Sequence, residues 1–71
     1  MNADSKYFEE YYDLILRNVK PANKAKEIAF RIVADIRDRR GLKHEFNNID
    51  SDIQDEIIDK LIAIIKKSPT I

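Results

Sequence analysis

Between Asp35 and Phe46 the chain reads DIRDRRGLKHEF. Arg37, Arg39, Arg40 and Lys43 crowd around the only glycine, next to the only histidine. Such a cluster can grip a phosphate or carboxylate, orient a charged partner, or complete the negative end of a helix. Near the start, YFEEYY places Tyr7, Phe8, Tyr11 and Tyr12 within six residues. Helical tyrosines either fill a core with their hydroxyls at its edge or stand out as anchors of a protein interface. Further on, NNIDSDIQDEIID sets Asn48, Asp50 and Asp52 at the first, third and fifth positions of a calcium loop, with Asp59 at the twelfth.

Most of the catalytic and metal chemistries fail at once. The calcium loop has Ile53 where the sharp turn needs glycine, and Asp59 where a bidentate glutamate is usual; helix capping explains the same acids. With no cysteine and only His44, neither a thiolate nor a two-histidine metal site can be built. His44, Glu45 and Ser51 lack any turn that would make a nucleophile and an oxyanion hole. One glycine cannot form a phosphate-binding loop. No catalytic residue, metal or cofactor is expected, and the chain reads as a non-enzyme.

Composition narrows the rest. The chain has 71 residues, 44% of them hydrophobic and 37% charged, with 13 basic and 13 acidic side chains. That length gives one domain, residues 1–71, close to the size at which a hydrophobic core alone must hold the fold. Zero net charge speaks against a dedicated nucleic-acid binder. The charge is nonetheless segregated: residues 21–44 carry seven bases against three acids, and residues 45–71 carry six acids against three bases. Packing of the acidic start of the last helix near the basic end of the one before it would account for that. The N-terminus lacks the basic start and apolar run of a signal peptide, and no apolar run approaches the ~20 residues of a membrane span. A soluble cytoplasmic protein is the expectation.

The elements that must position these residues follow from helical periodicity. Tyr7, Phe8, Tyr11, Tyr12, Leu14, Ile15, Leu16 and Val19 fall on one arc, with Asp4 or Ser5 as the cap and Pro21 ending the helix or opening the next. Ala25, Ile28, Ala29, Ile32, Val33 and Ile36 form the stripe of a second helix, closed by Gly41 in the left-handed position with Leu42 as its apolar contact. Ser51 and Gln54 have capping-box spacing for a third helix, whose isoleucine-rich arc runs to Ile65 before Lys66, Lys67 and Pro69. The result is an all-α, compact three-helix bundle with helices near 5–19, 22–40 and 51–67. A short irregular or single-turn lid between the second and third carries Leu42, Phe46 and Ile49 inward.

Residues Arg37 to Ile58, RDRRGLKHEFNNIDSDIQDEII, resemble a pattern in small all-helical proteins of bacterial and phage or prophage origin. The pattern has an Arg-Gly turn, an aromatic residue, an Ile-Asp pair and an acidic-Ile-Gln-acidic helix start. Phe46 stands where tryptophan is expected. The resemblance implies a compact helical domain and brings no functional residue with it.

The functional expectation is a protein-interaction module that binds a protein partner or itself through an apolar helix face with a charged rim. Tyr7, Tyr11 and Tyr12 are the expected aromatic contacts, and Arg37, Arg40 and Lys43 supply orientation. The alternative is DNA binding through the same basic helix end. It is weakened by LKHEFNNIDSD, which is short and turns acidic where a recognition helix should follow.

Overall fold

The computed structural model describes residues 1–68. All regular structure in that span is helical, in four helices: α1 (Phe8–Arg17), α2 (Lys24–Arg37), α3 (Leu42–Asn47) and α4 (Ser51–Lys67). The expected three-helix bundle is therefore corrected to four helices, because the lid is itself a six-residue helix.

Local chemistry sets each boundary. The chain before α1 is a turn: Ser5 N–H donates to the Asn2 carbonyl at 3.0 Å, and Ser5 Oγ accepts from Tyr7 N–H at 3.1 Å. Ser5 thus caps that turn, and α1 starts three residues later than the pattern suggests. Asn18 ends α1 with φ 55°, and the N–H groups of Asn18 and Val19 fold back onto the Leu14 and Asp13 carbonyls. Asparagine tolerates this left-handed position better than any residue but glycine. Asn23, in extended geometry, accepts from Ala25 N–H at 2.8 Å and opens α2. α2 stops at Arg37, so Arg39 and Arg40 lie in the following turn, and Gly41 at φ 88° starts α3.

α2 is the central element and packs against each of the other three helices. The main core joins Tyr11, Leu14, Phe30, Val33, Phe46 and Ile58. A smaller cluster of Ala25, Ala29 and Ile65 zips the N-terminal half of α2 to the end of α4, where the alanines permit close approach. Each large aliphatic side chain buried this way stabilises the fold by about 1.5–3 kcal/mol. The α2 stripe is rotated from its expected position: Phe30 is fully buried, while Ile32 is exposed, since three neighbours crowd the helix from the Phe30 side. In α3 only Phe46 turns fully inward. Leu42, expected inside, is 42% exposed, and Ile49 is half-buried against the core.

A strap of the first seven residues lies across α3 and α4. Asn2 N–H donates to Gln54 Oε1 at 3.0 Å, and Ser5 Oγ and Lys6 N–H both donate to the Asp55 carboxylate. Lys6 Nζ pairs with Asp59 at 3.0 Å, and the Tyr7 hydroxyl donates to the same carboxylate. Gln54, expected in a capping box, is instead fully buried, and its Nε2 donates to the Phe46 carbonyl at 2.7 Å. Pro69, expected to stop the last helix, lies outside the described residues.

Candidate functional site

A groove of about 660 Å³ runs between the C-terminal half of α1 and the corner where α2 turns into α3. Its floor is Tyr11, Tyr12, Ile15 and Leu16 from α1 with Ala34 from α2, and its rim is Arg37, Arg40, Lys43 and His44 with Asp38. The i, i+4 spacing of α1 puts Tyr11 and Ile15 on one side, and Tyr12 and Leu16 beside them. The left-handed Gly41 turns α3 away from the axis of α2, which brings Lys43 and His44 over the same opening.

Five of the six residues singled out from the sequence meet here: Tyr11, Tyr12, Arg37, Arg40 and Lys43. Tyr7 does not. It lies at the N-terminal end of α1, away from the groove, buried against Phe30 and bonded to Asp59, so it is corrected from an interface contact to a core residue. Tyr11 is corrected in part, since it is 1% exposed and reaches the groove only from beneath. Tyr12 is half-buried and stacks edge-to-face on both Phe8 and Tyr11, with ring centroids 4.9 and 5.0 Å away. Leu16, 74% exposed, and Ile15 are floor residues that the reading of aromatics alone passed over. Their signal was in the sequence, in an apolar arc wider than one neighbouring helix can cover.

Arg37 organises the site. Its Nη1 donates to the Tyr11 hydroxyl at 2.9 Å, and its guanidinium lies 5.5 Å from the Tyr11 ring centroid and 5.8 Å from that of Tyr12. Cation–π attraction of this kind contributes about 0.5–2 kcal/mol. Burial works against the charge, but the tyrosine hydroxyls outweigh it and raise the guanidinium pKa. Arg37 Nε is buried with no hydrogen-bond partner among the described residues. The Met1 ammonium approaches from the strap, donating to Tyr12 Oη at 2.9 Å and to Asn47 Oδ1 at 3.2 Å. Burial first, then the charges of Arg37 and Lys43, push this ammonium down to about 6.

The intramolecular neutralisation expected from the sequence does not occur. Among the described residues Arg37, Arg40 and Lys43 make no ion pair, whereas Arg31 is paired with Glu27 and Arg39 with Asp35 at i, i+4. The acids Asp55 and Asp59 of α4 are taken by the strap instead. Glu27, nearly buried on α2, shows the opposite case: burial would raise its carboxyl, but the Arg31 hydrogen bond and the charges of Lys24 and Lys20 hold it below the usual carboxylate range.

The site is thus a cationic rim over an aromatic and aliphatic floor, with Asp38 as its only rim carboxylate. It can take a carboxylate or phosphate joined to an apolar group. Among the described residues no three His, Cys, Asp or Glu side chains converge as a metal site would require. No described helix is long and apolar enough to cross a membrane. No family model, curated protein or solved structure matches the chain, so the site must be judged by its own side chains.

Proposed function

We propose that this chain is a non-enzymatic protein-interaction module, working in the cytoplasm, whose groove takes an acidic segment of a partner protein with apolar residues among its acids. The observation that carries this reading is the unpaired state of Arg37, Arg40 and Lys43 around exposed Ile15 and Leu16. Three cations held near one another with no carboxylate paired to any of them repel, and an acidic segment relieves that repulsion while covering the apolar floor. An interface of this type needs both parts: the apolar anchor supplies affinity, and the charge supplies orientation and encounter rate. Nucleic acid would use the cations alone. It gains nothing from Leu16, and the zero net charge of the chain offers it no long-range attraction.

The test is capture from host lysate with and without nuclease, using the wild-type chain, Arg40→Glu/Lys43→Glu and Leu16→Glu. Arg37 is left intact because it is tied to Tyr11. A nuclease-resistant partner lost in both variants, with helicity unchanged, is the expected outcome. Nuclease-sensitive capture that ignores Leu16→Glu and falls steeply with salt would replace this reading with nucleic-acid binding.

A further inference from the structure

The outer face of α4 has no role in the groove, and of its apolar residues Ile57 also packs, in part, against the main core. The face exposes Ile53 and Ile64, the latter by 57%, and carries a shallow depression of about 620 Å³ between Ile53, Ile57 and Ala63, edged by Glu56, Asp59 and Lys60. Ile53, Ile57, Lys60 and Ile64 are spaced four, three and four residues apart, the interval of a coiled-coil seam. The charges on this helix are divided. Asp50, Asp52, Asp55, Glu56 and Asp59 precede every base, and Lys60, Lys66 and Lys67 follow every acid.

The charges beside the strap and those away from it fare differently. Asp55 and Asp59 are engaged by the strap. Among the described residues Asp50, Asp52, Glu56, Lys60, Lys66 and Lys67 form no ion pair. Even Glu56 and Lys60, at the i, i+4 spacing that most favours a pair within one helix, do not make it. The outer face therefore offers an apolar seam between an unneutralised acidic end and an unneutralised basic end.

We infer that this face is an interface between two copies of the chain, with their α4 helices packed antiparallel about a two-fold axis. A helix with this division of charge is complementary to itself only when reversed. Parallel packing would lay acid on acid and lysine on lysine. In the antiparallel register Ile53 packs against Ile64 of the second copy, and Ile57 against its Lys60. The Lys60 ammonium then reaches Glu56 across the axis, and Lys66 and Lys67 reach Asp50 and Asp52. The apolar pairs lie at the two ends of the seam and the lysine stems cover its middle. The contact is isologous, so it closes at two copies and does not propagate. It uses none of the groove residues and stands whether or not the groove binds a protein.

The interface is small, and association is expected at about 0.1 mM chain, as for weak, transient contacts. Sedimentation of the full chain over a concentration series should show a mass rising from 8.3 kDa toward twice that value. Ile64→Asp, at an exposed position, should hold the mass at the monomer value with unchanged helicity. Glu56→Lys and Lys60→Glu should each weaken association by about tenfold, and the double swap should restore it. Orientation is read by cross-linking. A mixture of Ile53→Cys and Ile64→Cys chains should join, while Ile53→Cys alone should not, its two thiols being about 16 Å apart along the axis. A mass that stays monomeric, a dimer indifferent to Ile64→Asp, or cross-linking of Ile53→Cys to itself would each overturn the pairing.

Discussion

Replacing Gln54 by glutamate should make the stability of the domain depend steeply on pH, with the smallest loss in acid. Gln54 is fully buried; its Nε2 donates to the Phe46 carbonyl at 2.7 Å, and its Oε1 accepts from Asn2 N–H at 3.0 Å. Glutamate keeps the second bond but sets a carboxylate oxygen against the Phe46 carbonyl. An uncompensated buried charge costs about 3–5 kcal/mol. A chain of this size has roughly 4–10 kcal/mol in all, so from about a third to the whole of its stability goes. Protonation restores a donor to the Phe46 carbonyl, and the carboxyl pKa in the folded state is therefore raised above its unfolded value near ~4.3. Hence the penalty is absent below the unfolded value, grows as pH rises toward the folded one, and is constant beyond it. Urea titrations followed by far-UV circular dichroism, wild type and variant side by side from pH 4 to 8, give the difference free of the background titration of other acids. At ~1 kcal/mol per molar urea the midpoint should fall by about 3 M at neutral pH. Gln54→Leu, which loses the bonds without adding charge, should cost about 1–3 kcal/mol at every pH. A Gln54→Glu deficit that is flat with pH, or below about 1 kcal/mol at neutral pH, would show that Gln54 does not join strap, α3 and α4.

Asp59 acts in the opposite sense. The Tyr7 hydroxyl, and after it Lys6, hold the Asp59 carboxyl below the usual range, so its stabilisation is present above the unfolded value and is lost as pH falls through the folded one. Tyr7→Phe should cost about 1 kcal/mol at neutral pH and flatten that acid-side loss, measured by urea midpoints down to about pH 2. Gly41→Ala meets nothing within 4 Å of the added carbon, so its cost of about 1–2 kcal/mol should come from the left-handed φ of 88° alone, and Gly41→Asn should recover part of it. Ile58→Ala, in the main core, should lose about 2–5 kcal/mol, whereas Ile64→Ala on the outer face of α4 should stay within about 0.5 kcal/mol of wild type when measured in dilute solution.

What could be read from the sequence was whatever depends on near neighbours along the chain. The all-α class and the span of α4 follow from apolar period and from breakers, and so does the left-handed Gly41. α3 escaped because six residues with two apolar side chains show no period. The ends of α1 moved because Ser5 and Asn18 act through turns that a helical wheel does not register. Ser51 and Gln54 fit a capping box by spacing, yet Gln54 is claimed by Asn2 and Phe46, partners that no local pattern announces. The same holds for the site. The cluster of bases and the aromatic run were both visible as residues, and five of the six do converge. Which tyrosine belongs to the core depends on where α2 lies against α1. That is set by Phe30, a residue outside the expected stripe.

The strap gives the chain an order of events during its synthesis. Residues 2–7 hydrogen-bond to Gln54, Asp55 and Asp59, which are made after the other three helices. While α4 is still within the ribosome, the strap has nothing to close against, and the face of α2 that packs on α4 stays open to water. Closing so long a loop is entropically slow and is repaid only when α4 is free. Most of the fold therefore forms only once α4 has emerged, and the strap joins it no earlier than α4 does.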